Sequence, residues 1–189
     1  GRNYFRGSAL AKIMRAEAGG REVELIGHRF NQDWDFTTKS HGLMRWEAAT
    51  VLAHNCALMW VDQPHIDGSF DPQAAAAMRA AYAVVDDLAP HVRGSTPYAE
   101  VALLFASHSS ALNPDEELDF VGAYRLLTEL HWPFDVIAER DLTVAALQRF
   151  RLLIVPNART LTPEASAAIA AYAREGGALL FDHEAATLS

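Results

Sequence analysis

The chain is poor in several things, and each shortage excludes a class of protein. It has one cysteine, Cys56, in 189 residues, so no internal disulfide can form and the redox compartment stays open. Basic residues are outnumbered, 16 Lys and Arg against 24 Asp and Glu, for a formal net charge of -8. That balance argues against a nucleic-acid groove, which needs clustered cations. No apolar run, such as Ala178 to Phe181, approaches the roughly 20 residues a membrane span requires. Also absent are a Walker loop, a Gly-x-Gly-x-x-Gly turn, a Gly-x-Ser-x-Gly elbow and a His-Glu-x-x-His helix. With them go the common signatures of phosphate, dinucleotide, esterase and zinc chemistry. The chain opens on Gly1, and Gly1 to Ser8 has no secretory pattern of basic start, apolar stretch and cleavage site. The natural start is therefore expected to lie upstream.

Half of the residues are hydrophobic, and 21% are charged, which is ample for a buried core and excludes a disordered chain. Short β-rich runs alternate with helical patterns, the mark of an α/β fold with a largely parallel sheet. Strands are predicted at Val23–Gly27, Ala57–Val61, Ala99–Ala106, Phe134–Ala138, Leu152–Val155 and Ala178–Phe181. Most are continuous apolar runs without alternation, as strands covered on both faces are. Helices are predicted over Leu43–His54, over Pro72 to Leu88 with a stop at Pro90, and over Glu116–Leu130. A last helix opens on Thr162-Pro163-Glu164 and closes at Gly176-Gly177, a cap, proline and acid start with a glycine stop.

The turn-rich segment Arg93-Gly94-Ser95-Thr96-Pro97 marks the expected boundary, giving domains 1–94 and 95–189. In the first segment, the strand ending at Gly27 runs into His28-Arg29-Phe30-Asn31-Gln32-Asp33-Trp34-Asp35-Phe36. Ligands bind beyond the C-terminal ends of parallel strands, and this loop combines flat aromatic faces with many hydrogen-bonding groups, as polyol recognition needs. The strand ending at Val61 repeats the device with Asp62-Gln63-Pro64-His65-Ile66-Asp67-Gly68.

Asp33-Trp34-Asp35-Phe36, Lys39-Ser40, a helix, and the run Trp60 to Pro72 together resemble the end of an α-L-fucosidase-type glycoside hydrolase barrel. The resemblance extends from Phe30 to Gly94 and implies the last two βα units of a TIM-type barrel. Asp35-Phe36 stands where that family has Gly-Tyr, and Asp62-Gln63-Pro64 where it has Ile-Gly-Pro, so the sugar stays open. By the same resemblance Trp34 would line the sugar subsite, with His28, Asn31 and Asp62 as hydroxyl partners. The bland alternatives stand beside these roles. A tryptophan at a strand end also serves packing, Asp67-Gly68 makes a turn before a helix, and His54 and Cys56 fit a helix-to-strand connection without chemistry. A retaining glycosidase holds two carboxyls about 5–5.5 Å apart. Asp33, Asp35, Asp62 and Asp67 are the acids nearby, but in the family the nucleophile lies on an earlier strand. The catalytic residues thus stay unknown, and a segment with two of the eight units of a barrel is expected to be silent alone.

The second segment carries Phe134-Asp135-Val136-Ile137, Asp141-Leu142, Leu152-Leu153-Ile154-Val155-Pro156 and Tyr172-Ala173-Arg174-Glu175-Gly176-Gly177. This is similar to the trimerisation domain of family 42 β-galactosidases, a flavodoxin-like domain of the class I glutamine amidotransferase type. The resemblance implies assembly rather than catalysis. Amidotransfer needs a cysteine on a tight strand-to-helix turn beside a histidine, and Cys56 lies in the other segment. Ser107-His108-Ser109-Ser110 is read as a polar turn. Asp182-His183-Glu184 makes a poor metal pair, because adjacent side chains at a strand end diverge.

Two readings follow. In the first, the chain belongs to a glycoside hydrolase acting on fucosides or galactosides, supplies one wall of the sugar site, and joins it to an assembly domain, with both ends looking cut. Its partner would be carbohydrate, with no cofactor, metal, nucleic acid or membrane, and the chain would self-associate. In the second, all six strands form one open doubly wound sheet, and the protein is a non-catalytic binding or oligomerisation module.

Overall fold

The computed structural model describes residues 5–30, 37–112 and 116–186. In chain order the elements are helix α1 (Phe5–Glu17), strand β1 (Glu24–His28), α2 (His41–Ala53), β2 (Ala57–Val61), α3 (Pro72–Val92) and β3 (Val101–Phe105). They continue with α4 (Ser107–Leu112), α5 (Glu116–Glu129), β4 (Phe134–Ala138), α6 (Val144–Leu147), β5 (Leu152–Pro156), α7 (Pro163–Arg174) and β6 (Ala178–Asp182). The chain forms two compact units, Gly20–Ser95 and the combination of Gly1–Gly19 with Thr96–Ser189.

Every described strand pairing is parallel, as a βα alternation dictates. The strands form two sheets, β1-β2 and β4-β3-β5-β6. The single six-stranded sheet of the second reading is therefore wrong. Both hydrogen-bonding edges of β3 are taken by β4 and β5, and a turn with Gly94 at φ 79° closes the segment that precedes it. No edge of β3 is left for β2.

In the unit Gly20–Ser95, the two helices start where local chemistry puts them. Ser40 Oγ accepts from Leu43 N at 3.3 Å, and Asp71 Oδ1 accepts from Gln73 N at 2.8 Å, with Pro72 in the first turn. Met44 and Ala48 of α2 meet Ala77 and Ala81 of α3 and Trp60 of β2 in one core. Gly27 is required beside it, because a Cβ there would lie 2.9 Å from the Trp60 ring. Helix α3 runs through Pro90 to Val92 rather than stopping. The proline sits in the last turn, where its missing N–H costs one bond, and Arg93 N still reaches Ala89 O at 2.9 Å.

In the other unit, alternation along β3 sends Val101 and Leu103 to one face and Ala102 and Leu104 to the opposite one. One face is covered by α7 and the α6 region through Leu147, Phe150, Ile169 and Tyr172. The other is covered by α5 through Phe120, Tyr124 and Leu127, and by Ala9 of α1. The sequence division at residue 94 set α1 with the first segment, but its side chains serve the second. Ser8 Oγ lies 2.6 Å from Tyr124 Oη, and Lys12 Nζ donates to Phe134 O at 2.5 Å. The segment Ser107 to Ser110 also differs from the polar turn expected, since it forms α4. Ser109 is buried there, and its Oγ accepts from Thr160 N at 3.0 Å.

Candidate functional site

Parallel register pairs Gly27 with Trp60 and His28 with Val61, so the residues that follow, Arg29 and Asp62, emerge side by side at the C-terminal ends of β1 and β2. Arg29 N donates to Val61 O at 3.1 Å and extends the ladder by one rung. Its side chain is 1% exposed. Nε donates to the Asp62 carboxylate, Nη1 to Thr37 O at 3.0 Å and Nη2 to Gln63 O at 3.4 Å. Asp62 Oδ1 also accepts from Gln63 N at 2.7 Å. A buried arginine is tolerated only when its charge and donors are matched in this way. The pair thus ties together both strand ends and the segment entering α2.

Asp62 keeps a second oxygen, Oδ2, that is buried and has no hydrogen-bond partner among the described residues. The indole Nε1 of Trp60 is in the same state. Beside them Lys39 Nζ contacts both Glu47 carboxylate oxygens at 2.9 Å and lies 5.6 Å from the Trp60 ring centroid. His28 is half-buried, with its ring 5.3 Å from that of Phe30. The ion pair and the unpartnered Asp62 oxygen lie at the strand ends, where ligands bind in parallel α/β folds, whereas the Trp60 ring packs into the core against α2 and α3.

Of the residues expected at the site, His28 and Asp62 stand at neighbouring strand ends. Asn31 and Trp34 lie outside the described residues, as do Asp33 and Asp35. Asp67 is held in a turn, where Oδ1 accepts from Ser69 N at 2.9 Å and Ser69 Oγ at 2.7 Å. These bonds to Ser69 hold its carboxyl below the usual range. Cys56 is buried in the α2-to-β2 connection. Arg29 was visible in the sequence only as one polar residue among many. Its signal was position, directly after a strand and in register with an acid after the next one.

A second polar cluster lies at the C-terminal edge of the four-stranded sheet. Glu139 Oε1 accepts from Thr162 N at 2.8 Å, and Asn157 Nδ2 donates to Asp119 Oδ2 at 2.5 Å. With Ser109 they pin the loop between β5 and α7, and Asn157 adopts φ 43° there. Asparagine accepts that left-handed backbone better than most residues. Among the described residues, no group of three His, Cys, Asp or Glu side chains could hold a metal ion. No helix of the described residues is long and apolar enough to cross a membrane.

The architecture defines an α/β protein of two parallel-sheet units with a polar strand-end site in one of them. No protein-family signature matches the chain, and no curated protein does. Solved structures do. α-L-fucosidase isoenzyme 2 from Paenibacillus thiaminolyticus aligns over 94% of this chain and 27% of its own, at 22% identity and a TM-score of 0.77. A β-galactosidase from Bacillus circulans sp. alkalophilus aligns over 97% of this chain and 31% of its own, at 14% identity and a TM-score of 0.75. A GH42 β-galactosidase from G. stearothermophilus aligns over 95% and 30%, at 16% identity and a TM-score of 0.70. This chain shares their fold and spans less than a third of their length.

Proposed function

We propose that the chain is part of a glycoside hydrolase acting on fucosides or galactosides. The unit Gly20–Ser95 supplies one wall of the sugar site as the last two βα units of a barrel. The other unit, an amidotransferase-like domain of the trimerisation type, serves assembly. The observation that supports this most is the alignment of nearly the whole chain with segments of both a fucosidase and β-galactosidases. The strand-end site adds to it. In this reading Asp62, oriented by Arg29, is a hydroxyl partner together with His28 and Asn31, and Trp34 lines the sugar subsite. The catalytic carboxyl pair is supplied by other strands of the barrel.

The test is to express the complete reading frame and assay aryl α-L-fucosides and aryl β-D-galactosides. Cleavage of either supports the reading. Asp62→Ala is then expected to raise KM more than it lowers kcat, as loss of a binding contact does. A folded full-length protein that cleaves neither glycoside overturns it.

A further inference from the structure

The two faces of the β1-β2 sheet are unlike. Leu58 and Trp60 of β2 pack against α2 and α3, and Gly27 of β1 lies against the Trp60 ring. Alternation turns the residues between them the other way, and there Ile26 and Met59 are 59% and 37% exposed. His28 shares that open face and closes β1 at its C-terminal end. Its ring lies 5.3 Å from the ring of Phe30, tilted by 48°. The Arg29 guanidinium carbon lies 5.6 Å from the Phe30 ring centroid, a cation–π contact. That guanidinium is itself fixed by Asp62, Thr37 O and Gln63 O. Phe30 is therefore a half-buried aromatic ring, held by two neighbours at the strand ends. It stands outside the core that α2 and α3 form.

We propose that Phe30 is the platform on which the sugar ring stacks, and that it selects the galacto configuration. The proposal rests on the glycosidase reading and narrows its substrate class. A phenyl ring binds apolar surface and offers no hydrogen bond, so it reads the C–H side of a sugar and not its hydroxyls. Galactosides and fucosides share the feature that such a ring can read. Their axial O4 leaves C3–H, C4–H and C5–H together on one side as a continuous apolar patch. In the 4-epimer O4 is equatorial and C4–H moves to the other side, which interrupts the patch. Because His28 and Arg29 hold the ring in place beforehand, little side-chain freedom is lost on binding. His28, beside the ring, can then bond a hydroxyl at the edge of the stacked sugar.

Kinetics of the protein expressed from its complete reading frame test it. They are measured on whichever aryl glycoside the wild type cleaves, galactoside or fucoside, and on its 4-epimer. The wild type is expected to favour the galacto sugar in kcat/KM by about tenfold or more, the scale of a lost apolar contact. Phe30→Leu keeps apolar bulk but not the flat face. It is expected to stay folded, to raise KM for the galacto sugar about tenfold with kcat little changed, and to erase the preference. Phe30→Tyr keeps the face and is expected to retain both KM and the preference, a split between the two variants that a merely packing role does not give. A wild type with no preference between the epimers overturns the proposal, even where Phe30→Leu does not fold. So does a folded Phe30→Leu with unchanged KM. A folded wild type that cleaves neither glycoside overturns the glycosidase reading, and the proposal with it.

Discussion

The two units bury their strands differently. In the four-stranded sheet, β3 and β5 are buried along almost their whole length, with an apolar cluster on each face. In the two-stranded sheet, Trp60 alone among the ten strand residues is buried, and Ile26 and Met59 face solvent. The first sheet obtains its stability from apolar burial on both sides. The second has one packed core, and its strand ends are joined instead by a buried ion pair. A unit held by a few specific polar contacts fails when one of them is removed, whereas a unit held by a broad core fails by degrees.

The largest expected effect follows from that contrast. Arg29→Ala leaves Asp62 buried without its counter-charge, a change expected to cost about 3–5 kcal/mol. Amide hydrogen exchange should show the loss of protection within Gly20–Ser95, while β3 and β5 keep theirs. Equal loss in both units breaks the comparison. Next in size is Gly177→Ala. Its Cβ would fall 2.2 Å from the Tyr172 ring, and displacing that ring also strains the bond from Tyr172 Oη to Phe150 O at 2.9 Å. Overpacking of this kind is expected to cost about 1–3 kcal/mol, read as a lower denaturant midpoint with the slope unchanged. A midpoint equal to wild type would mean that the β6 side of the sheet is looser than its packing indicates.

The smallest effect appears only at alkaline pH. Burial pushes the Tyr124 hydroxyl up to about 12, against a weaker opposing bond from Ser8. Because the folded state favours the protonated phenol, this contribution to stability is complete below the unfolded value near 10. It is lost as pH rises from there through about 12. Tyr124→Phe should flatten that part of the stability–pH curve and leave the unit Gly20–Ser95 unaffected. An alkaline limb unchanged in the variant assigns the titration to another group.

Much of the fold was legible because local chemistry and burial agree. Ala57–Val61 and Phe134–Ala138 are strands with the bounds expected from their apolar runs. Thr162 caps α7, with Oγ1 accepting from Ala165 N at 3.3 Å, and Gly176 ends it at φ 95°. Helix α1 was not legible. Its apolar contacts with the rest of the unit are made by Phe5, Ala9, Ile13 and Ala16, two of them alanines that carry little hydrophobic signal. Only the surface formed by β4 and α5, distant in sequence, makes that face a buried one. At the candidate site, the sequence named Asp62 as a hydroxyl partner and did not show its ion pair. One of its oxygens is in fact engaged by Arg29 and Gln63 N.

By itself the sequence determined the α/β class, the order of the six strands and the starts of α3 and α7, because each depends on residues within a few positions of one another. The tertiary structure decided that the strands divide into two sheets, that α1 joins the second unit, and that Arg29 and Asp62 meet. Those outcomes rest on pairings between residues 33 to 123 positions apart. No local pattern encodes them, since burial and charge pairing act only once the chain has brought the partners together.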